Sequence, residues 1–246
     1  MKAIIIAAGS GKRISNDVKN IPKSMVTVNG KPIIEYQIST LKEAGIKEII
    51  VITGPYSEKF NLTHVKYVKD QHFTEHDILG SLMEAKEFLK DEIVILYSDI
   101  IFEYKILKKI LESKENISIG IDMNWRKMYE GRTLHPKIEA ENVLLDKSMK
   151  IIKIKKNIEI NKNVGEFIGI IKLSKKGSKI FVKKYDKLIN SHVGNFHEAP
   201  NILKGYITDM IQELVDSKED IEPVLITGKW CEIDTIQDLK KAEEIF

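Results

Sequence analysis

Apolar positions follow two rhythms along the chain. Lys2 to Ala8 is a continuous apolar run ended by Gly9, the pattern of a strand buried on both faces in a parallel sheet covered by helices. Pro32 to Ala44 spaces Ile34, Ile38, Leu41 and Ala44 at helical intervals, with Pro32 near the first turn and Gly45 as a stop. Short β-branched runs at Glu48 to Thr53, His64 to Val68 and Glu92 to Tyr97 predict strands, while Leu79 to Leu89 and Tyr104 to Glu112 predict helices. Such alternation predicts right-handed βαβ units in an α/β fold, a mostly parallel twisted sheet, and a ligand crevice outside the carboxyl ends of its strands.

From Ile117 the rhythm changes. Ile117 to Asp122, Lys137 to Leu145, Met149 to Ile154 and Glu166 to Leu173 are strand-like with no long helix among them, which predicts an antiparallel elaboration. Lys175 to Ile189 and Asn201 to Val215 read as helices, Val224 to Ile226 and Cys231 to Ile233 as short strands, and Thr235 to Ile245 as a closing helix. With no internal repeat and no Pro/Gly/Ser linker, residues 1–246 are expected to form one domain, a first half to residue 116 and an elaborated second half from 117.

Composition narrows the function classes. The 43% hydrophobic and 30% charged residues argue for a globular chain. Lys plus Arg at 39 against Asp plus Glu at 36 is too balanced for a nucleic-acid partner, which demands a concentrated basic face. The single Cys231 forbids an intrachain disulfide and a cysteine-ligated zinc cluster, and points to a reducing cytoplasm. No apolar run approaches the roughly 18 residues of a membrane span, so neither membrane anchorage nor secretion is expected. His64, His72, His76, His135, His192 and His197 lack a spacing such as H-E-x-x-H and are expected on surfaces or loops.

Candidate chemistry begins where the first strand feeds Gly9-Ser10-Gly11-Lys12-Arg13, with Lys23 ten residues further on. A dinucleotide fingerprint would need glycine where Ile14 stands, and a Walker A loop would need glycine at Ile6 and Ser or Thr at Arg13, so both fail. What remains is either a solvated loop or a phosphate cradle of another design, in which backbone N–H groups and the cations Lys12, Arg13 and Lys23 face phosphate oxygens. Asp99 ends a predicted strand, where it suits either a metal ion or a turn. Asp234 precedes the last predicted helix and is open to the same two readings, metal ligand or N-cap.

The run AAGSGKR…PKSMVTVNGKPIIEYQISTL resembles nucleotidyltransferases that join a nucleoside triphosphate to a phosphorylated small molecule. Gly9, Gly11, Arg13, Pro22, Lys23, Gly30 and Pro32 carry the match. The resemblance implies a Rossmann-like sheet, with Arg13 on the departing β and γ phosphates and Lys23 on the α-phosphate as the catalytic pair. It further implies Ala7, Ala8, Gly9, Ser10, Gly11, Lys12, Gly80, Ser81 and Asp99 around the nucleotide, and Mg²⁺ on Asp99 and Asp234. Gly80-Ser81-Leu82 fits equally a plain helix start capped by Ser81.

Later segments, YSDIIF, Asp122-Met123-Asn124-Trp125, Tyr129-Glu130-Gly131-Arg132, Glu139-Ala140-Glu141, Gly165-Glu166-Phe167-Ile168-Gly169 and Tyr206-Ile207-Thr208-Asp209, are similar to cytidylyltransferases for phosphonates and phosphocholine. From this follow the expected partners, CTP and a small phosphonate or phosphate acceptor, with 2-aminoethylphosphonate the nearest. Arg132 and Lys156 are candidates to grip acceptor oxygens, since guanidinium matches them bidentately. Asp122, Glu166 and Asp209, with Trp125 and Trp230, are candidates to hold an acceptor ammonium. A lysine-rich strand around Lys156 equally suits a solvated face, the tryptophans equally suit the core, and a homodimer stays open.

Overall fold

A computed structural model describes residues 1–10, 12–15 and 18–246 of the chain. Its centre is β1 (Lys2–Ala7), which pairs in parallel with β4 (Glu48–Thr53) on one side and β6 (Ile93–Tyr97) on the other. Between them run the short hairpin β2 (Thr27–Val28) and β3 (Lys31–Pro32) and helix α1 (Ile33–Glu43). β5 (Lys66–Lys69) extends the parallel edge beyond β4. The unbroken apolar run of β1 is explained by helices on both faces: Ile4 packs into the cluster under α2 (Ile78–Glu84), and Ile5 into the one under α1. Burying either side chain completely contributes about 1.5–3 kcal/mol.

The expected change of rhythm is real. After β7 (Ile100–Phe102) and α3 (Tyr104–Glu112), strands β8 (Ile117–Asp122), β9 (Glu141–Leu145), β10 (Ile151–Lys156) and β11 (Val164–Leu173) follow with no long helix among them. The ten-residue β11 runs antiparallel to β6, β8 and β9 and welds the second half to the parallel core. Its register against β8 shifts between Phe167 and Ile171. Gly169 lies in that shift at φ +74°, where a Cβ would stand 2.8 Å from Tyr97, so this position needs glycine on two counts. Helices α4 (Lys175–Ser191) and α5 (Ile207–Asp216), strands β12 (Glu222–Leu225) and β13 (Trp230–Glu232), and helix α6 (Ile236–Ile245) complete the α/β, Rossmann-like fold, with β12 joining the mixed sheet beside β8 and β13 pairing with β7 in a separate two-stranded ribbon.

Element boundaries moved for local reasons. Residues 201–204, expected as the start of a helix, form a single 3-10 turn capped by Asn201, and α5 begins after the extended Tyr206, whose backbone N–H is held by Asp209. Residues 137–139 likewise form a 3-10 turn ahead of β9. No helix is long and apolar enough to cross a membrane among the described residues.

Candidate active site

Four segments converge beyond the carboxyl end of β1. The chain leaves β1 through Ala8 and Gly9, and after the turn containing Arg13 it returns so that Ser10 bridges Pro22 and the Lys23 N–H donates to Gly9 O at 3.1 Å. Extended Pro22 then delivers Lys23 into a 3-10 turn with its side chain buried. Asp99 sits in the tight connection between β6 and β7. Buried Gln37 of α1 clamps this connection, donating from Nε2 to Tyr97 O at 2.7 Å and Ile100 O at 2.8 Å. Antiparallel pairing of β13 with β7 sets Glu232 opposite Ile100, and Ile233 N donates to Asp99 O at 2.8 Å. That ribbon brings Asp234 beside Asp99.

Lys23 Nζ donates to Asp99 Oδ2 at 2.6 Å and to Asp234 Oδ1 at 2.5 Å. Arg13 reaches Asp234 Oδ1 at 2.8 Å with most of its guanidinium side chain in solvent, and His135 Nδ1 meets Asp234 Oδ2 at 2.8 Å. Burial opposes charge on both main partners, and the pairing reverses it: burial lowers the Lys23 ammonium but Asp99 and Asp234 raise it above its ordinary value. Burial raises Asp234, yet Lys23, His135 and Arg13 hold its carboxyl well below the usual range. The helix-cap reading of Asp234 falls to its neighbour. Thr235 is the N-cap of α6 in a capping box with Asp238, while the Asp234 carboxylate turns to the cations.

These groups line a cavity of about 410 Å³. Ala8, Gly9, Arg13, Lys23, Ser81, Asp99, Lys156 and Asp234 of the expected residues face it, together with His76, Tyr97, His135, Glu139, Glu141, Tyr206 and Glu232. Glu141 is pushed up to about 8 by burial and then by Glu232, and Glu232 is itself raised by burial and Asp234. An adjoining recess of about 20 Å³ shares Tyr97, Glu139, Glu141 and Glu232 and adds Tyr129, Glu166 and Trp230. Tyr129 donates from Oη to Glu166 Oε1 at 2.5 Å, and Glu166 Oε2 is buried without a partner. Burial and Glu232 keep the Glu166 carboxyl well above the usual range. Lys23 and Arg13 thus line the cavity paired with Asp99 and Asp234, the carboxyls Glu141, Glu166 and Glu232 gather at the recess, and Lys156 stands near them paired with Glu139.

The remaining expected residues stand elsewhere, each for a visible reason. Ala7 is buried in the core under α1, Ser10 is spent in the bridge to Pro22, and Lys12 is exposed on the turn. Gly11 lies outside the described residues. Gly80 packs against the His76 ring, where a Cβ would meet it at 2.4 Å. Arg132 grips no open space: it donates to Asp238 Oδ1 at 2.5 Å and Glu232 Oε2 at 3.0 Å and lies over the Tyr129 ring. Trp125 is wholly buried against Tyr129 and Val164, and Asp209 is the capping carboxylate of α5. Asp122 accepts from Asn124 N and Trp230 Nε1, at a separate cavity.

Sequence reasoning missed His135, Glu141 and Glu232. His76 and His135, expected on surfaces or loops, are 8% exposed. His135 had no motif to reveal it. Glu141 and Glu232 stood inside segments already noticed, but only the β7/β13 and β9/β11 pairings turn them toward one space.

The donor set suits a hard divalent cation. Asp99 Oδ1 is buried without a partner, and donor atoms of His135, Glu232 and Asp234 lie within 4.8 Å of one another. Clustered carboxylate oxygens of this kind match the oxygen preference of Mg²⁺.

An α/β sheet with a ligand cavity at the carboxyl edge and paired cations at the first turn fits a nucleotide-handling enzyme. Comparison with known proteins makes this specific: residues 3–138 match the MobA-like NTP transferase domain, so the chain belongs to that family and is a nucleotidyltransferase. It is 29% identical over 253 residues to the CTP:phosphoglutamine cytidylyltransferase of Campylobacter jejuni, covering 98% of each chain. It is 42% identical over 107 residues to the choline-phosphate cytidylyltransferase of Streptococcus pneumoniae, covering 42% of this chain and 47% of that one. Its fold is similar to the solved structure of the CTP:phosphocholine cytidylyltransferase from Streptococcus pneumoniae, with a TM-score of 0.74 at 24% identity over 99% and 98% of the two chains. The inositol-1-phosphate CTP transferase from T. maritima shares the fold with a TM-score of 0.76 at 18% identity, over 99% and 94%.

Proposed function

We propose that the chain transfers CMP from CTP to a small phosphonate or phosphate acceptor that also carries a cationic amine, with 2-aminoethylphosphonate the best fit, and that it needs Mg²⁺. The observation that carries this reading is the cavity with its recess. Arg13 and Lys23 line the cavity, and Glu141, Glu232 and Glu166 gather in its recess, with Glu232 reaching back to Asp234. A zwitterionic acceptor fits such a space with its phosphoryl group toward the cations and its ammonium donating to carboxyl oxygens of the recess. The cytidylyltransferase relatives named above support the nucleotide and the acceptor class.

An ionised acceptor oxygen attacks the α-phosphorus in line. A P–O bond forms there as the bond to the β-phosphate bridge breaks, and pyrophosphate leaves with the electron pair. The acceptor oxygen needs no general base, so the obstacle is repulsion between anions, and positioning with charge neutralisation is the catalytic work. Lys23 already donates to two carboxylates, which fixes its ammonium and leaves its third N–H for an α-phosphate oxygen. Arg13, mostly in solvent and tethered only to Asp234 at 2.8 Å among its described ion pairs, can turn its remaining guanidinium N–H groups onto the departing phosphates. Asp99 and Asp234 would hold Mg²⁺, which supplies further neutralisation of phosphate charge. The expected soluble setting is the cytoplasm.

A screen of pyrophosphate release decides the matter: four nucleoside triphosphates against amine-bearing and amine-free phosphoryl acceptors, with and without Mg²⁺. CTP with an amine-bearing acceptor and Mg²⁺ should give the fastest release. Preference for amine-free sugar phosphates, or equal rates without the metal, would reject the proposed substrate class or the metal respectively.

A further inference from the structure

A second cluster lies in the wall of the cavity, with His76 on its lining, and takes no part in the transfer described above. Between β5 and α2 the chain runs through His72 and His76, four residues apart, and α2 carries Glu84. His72 Nδ1 stands 2.9 Å from Glu84 Oε1, His76 Nε2 stands 3.6 Å from the same oxygen, and His76 Nε2 stands 3.2 Å from Asp70 Oδ1. Ligand atoms about 2.0–2.2 Å from one four-coordinate ion are separated by about 3.3–3.5 Å, so these spacings are close to the edges of a single coordination shell.

Two further observations point to a ligand. His76 is 8% exposed, yet neither of its ring nitrogens makes a hydrogen bond of acceptable geometry. A buried, unpaired imidazole is costly, and a metal ion is one of the partners that satisfies it. Asp70, fully buried, is held by the Ser81 hydroxyl at 2.7 Å and by His72 N at 2.9 Å, the kind of support that fixes a ligating or neighbouring carboxylate. Gly80 leaves the space that the His76 ring fills.

We propose that His72, His76 and Glu84, with Asp70 beside His76, bind a first-row divalent ion such as Zn²⁺, which clips the 70–77 loop to helix α2. Imidazole nitrogen and carboxylate are ligands that such an ion accepts in four-coordinate geometry, and two histidines distinguish this cluster from the oxygen-rich donors proposed for Mg²⁺. The role is structural: the same loop carries Phe73, His76 and Asp77 to the cavity wall.

Equilibrium dialysis of the full chain against Zn²⁺ and Co²⁺ tests this directly, with the visible ligand-field spectrum of bound cobalt as a second readout. In the presence of excess Mg²⁺, which occupies the oxygen-rich donors, one equivalent per chain with an intense four-coordinate cobalt spectrum is expected, weakened at least tenfold by His72→Ala and by Glu84→Gln and unchanged by His135→Ala. His72 and Glu84 are partly exposed, and circular dichroism of each variant confirms its fold. Absence of stoichiometric binding, a spectrum of water-ligated octahedral cobalt, or binding lost on His135→Ala but kept in the two loop variants would each overturn the proposal. The last outcome would assign the ion to His135, Glu232 and Asp234.

Discussion

The cationic turn and the carboxyl-lined recess of the cavity are built in different ways. At the cationic turn, Gly9, Arg13, Pro22 and Lys23 lie close together in sequence and their geometry follows from one turn off one strand. In the recess, Glu141, Glu166 and Glu232 come from β9, β11 and β13, and nothing but sheet pairing brings them together. A local motif can be read from a sequence because its residues constrain each other directly. A site assembled by register cannot, and conspicuous residues nearby, such as Arg132 and Trp125, draw attention that belongs to their less conspicuous neighbours.

The largest effect expected from this contrast is at Lys23. Lys23→Ala should lower turnover by roughly a hundredfold to a thousandfold, comparable to loss of a transition-state donor. It also leaves Asp99 and Asp234 facing each other without their shared counter-ion. Pyrophosphate release at saturating substrate reads the effect, and unchanged turnover would remove Lys23 from the chemistry. Asp99→Ala should abolish the Mg²⁺-dependent part of the activity in the same assay.

Arg132 sharpens the comparison from the other side. Its guanidinium is paired with Asp238 and Glu232 and its side chain is 6% exposed. Arg132→Ala should destabilise the fold by about 3–5 kcal/mol, as expected for removing one partner of a buried ion pair. Denaturant unfolding measures this. A variant of undiminished stability whose acceptor KM alone rises would restore Arg132 to the acceptor site. Asp209→Ala should cost less, about 1–2 kcal/mol, because it removes the carboxylate that accepts from Tyr206 N and Glu198 N at the start of α5.

Much of the architecture was legible, and the limits have physical causes. The β1 run, the alternation after it and the antiparallel change near Ile117 all appear because burial on one or two faces imposes a period on the chain. β7 was missed, since three residues after Asp99 are too short to show a period, although it is the strand that sets Asp234 against Asp99. Asp99, Asp234, Arg13 and Lys23 stand out in the sequence, and the fold brings them into contact. Asp122 at the end of β8 accepts from the Trp230 indole and Asn124 N, and Asp209 caps α5, because a carboxylate at the end of an element reads the same in sequence whether it meets a ligand or a protein N–H.

The finest test concerns the charge on Glu141. With its carboxyl pushed up to about 8 by burial and Glu232, it is largely protonated at neutral pH and ionises as the solution becomes alkaline. The folded chain thus binds a proton that the unfolded chain, with an ordinary value of 4.5, has released over the same interval. Stability should fall as pH climbs between those two values and level off above the higher one. Acceptor affinity should move oppositely, since a charged Glu141 attracts an ammonium more strongly than a neutral one. For a half-buried ion pair worth up to about 1 kcal/mol, the KM of an amine-bearing acceptor should drop by about threefold across pH 8. Glu141→Gln should flatten that response, and an amine-free phosphate acceptor should show none even in the unaltered enzyme. A threefold drop common to both acceptors would locate the titration on the phosphoryl group or the nucleotide, and the carboxyl-lined recess would then be a feature of the fold with no part in choosing the acceptor.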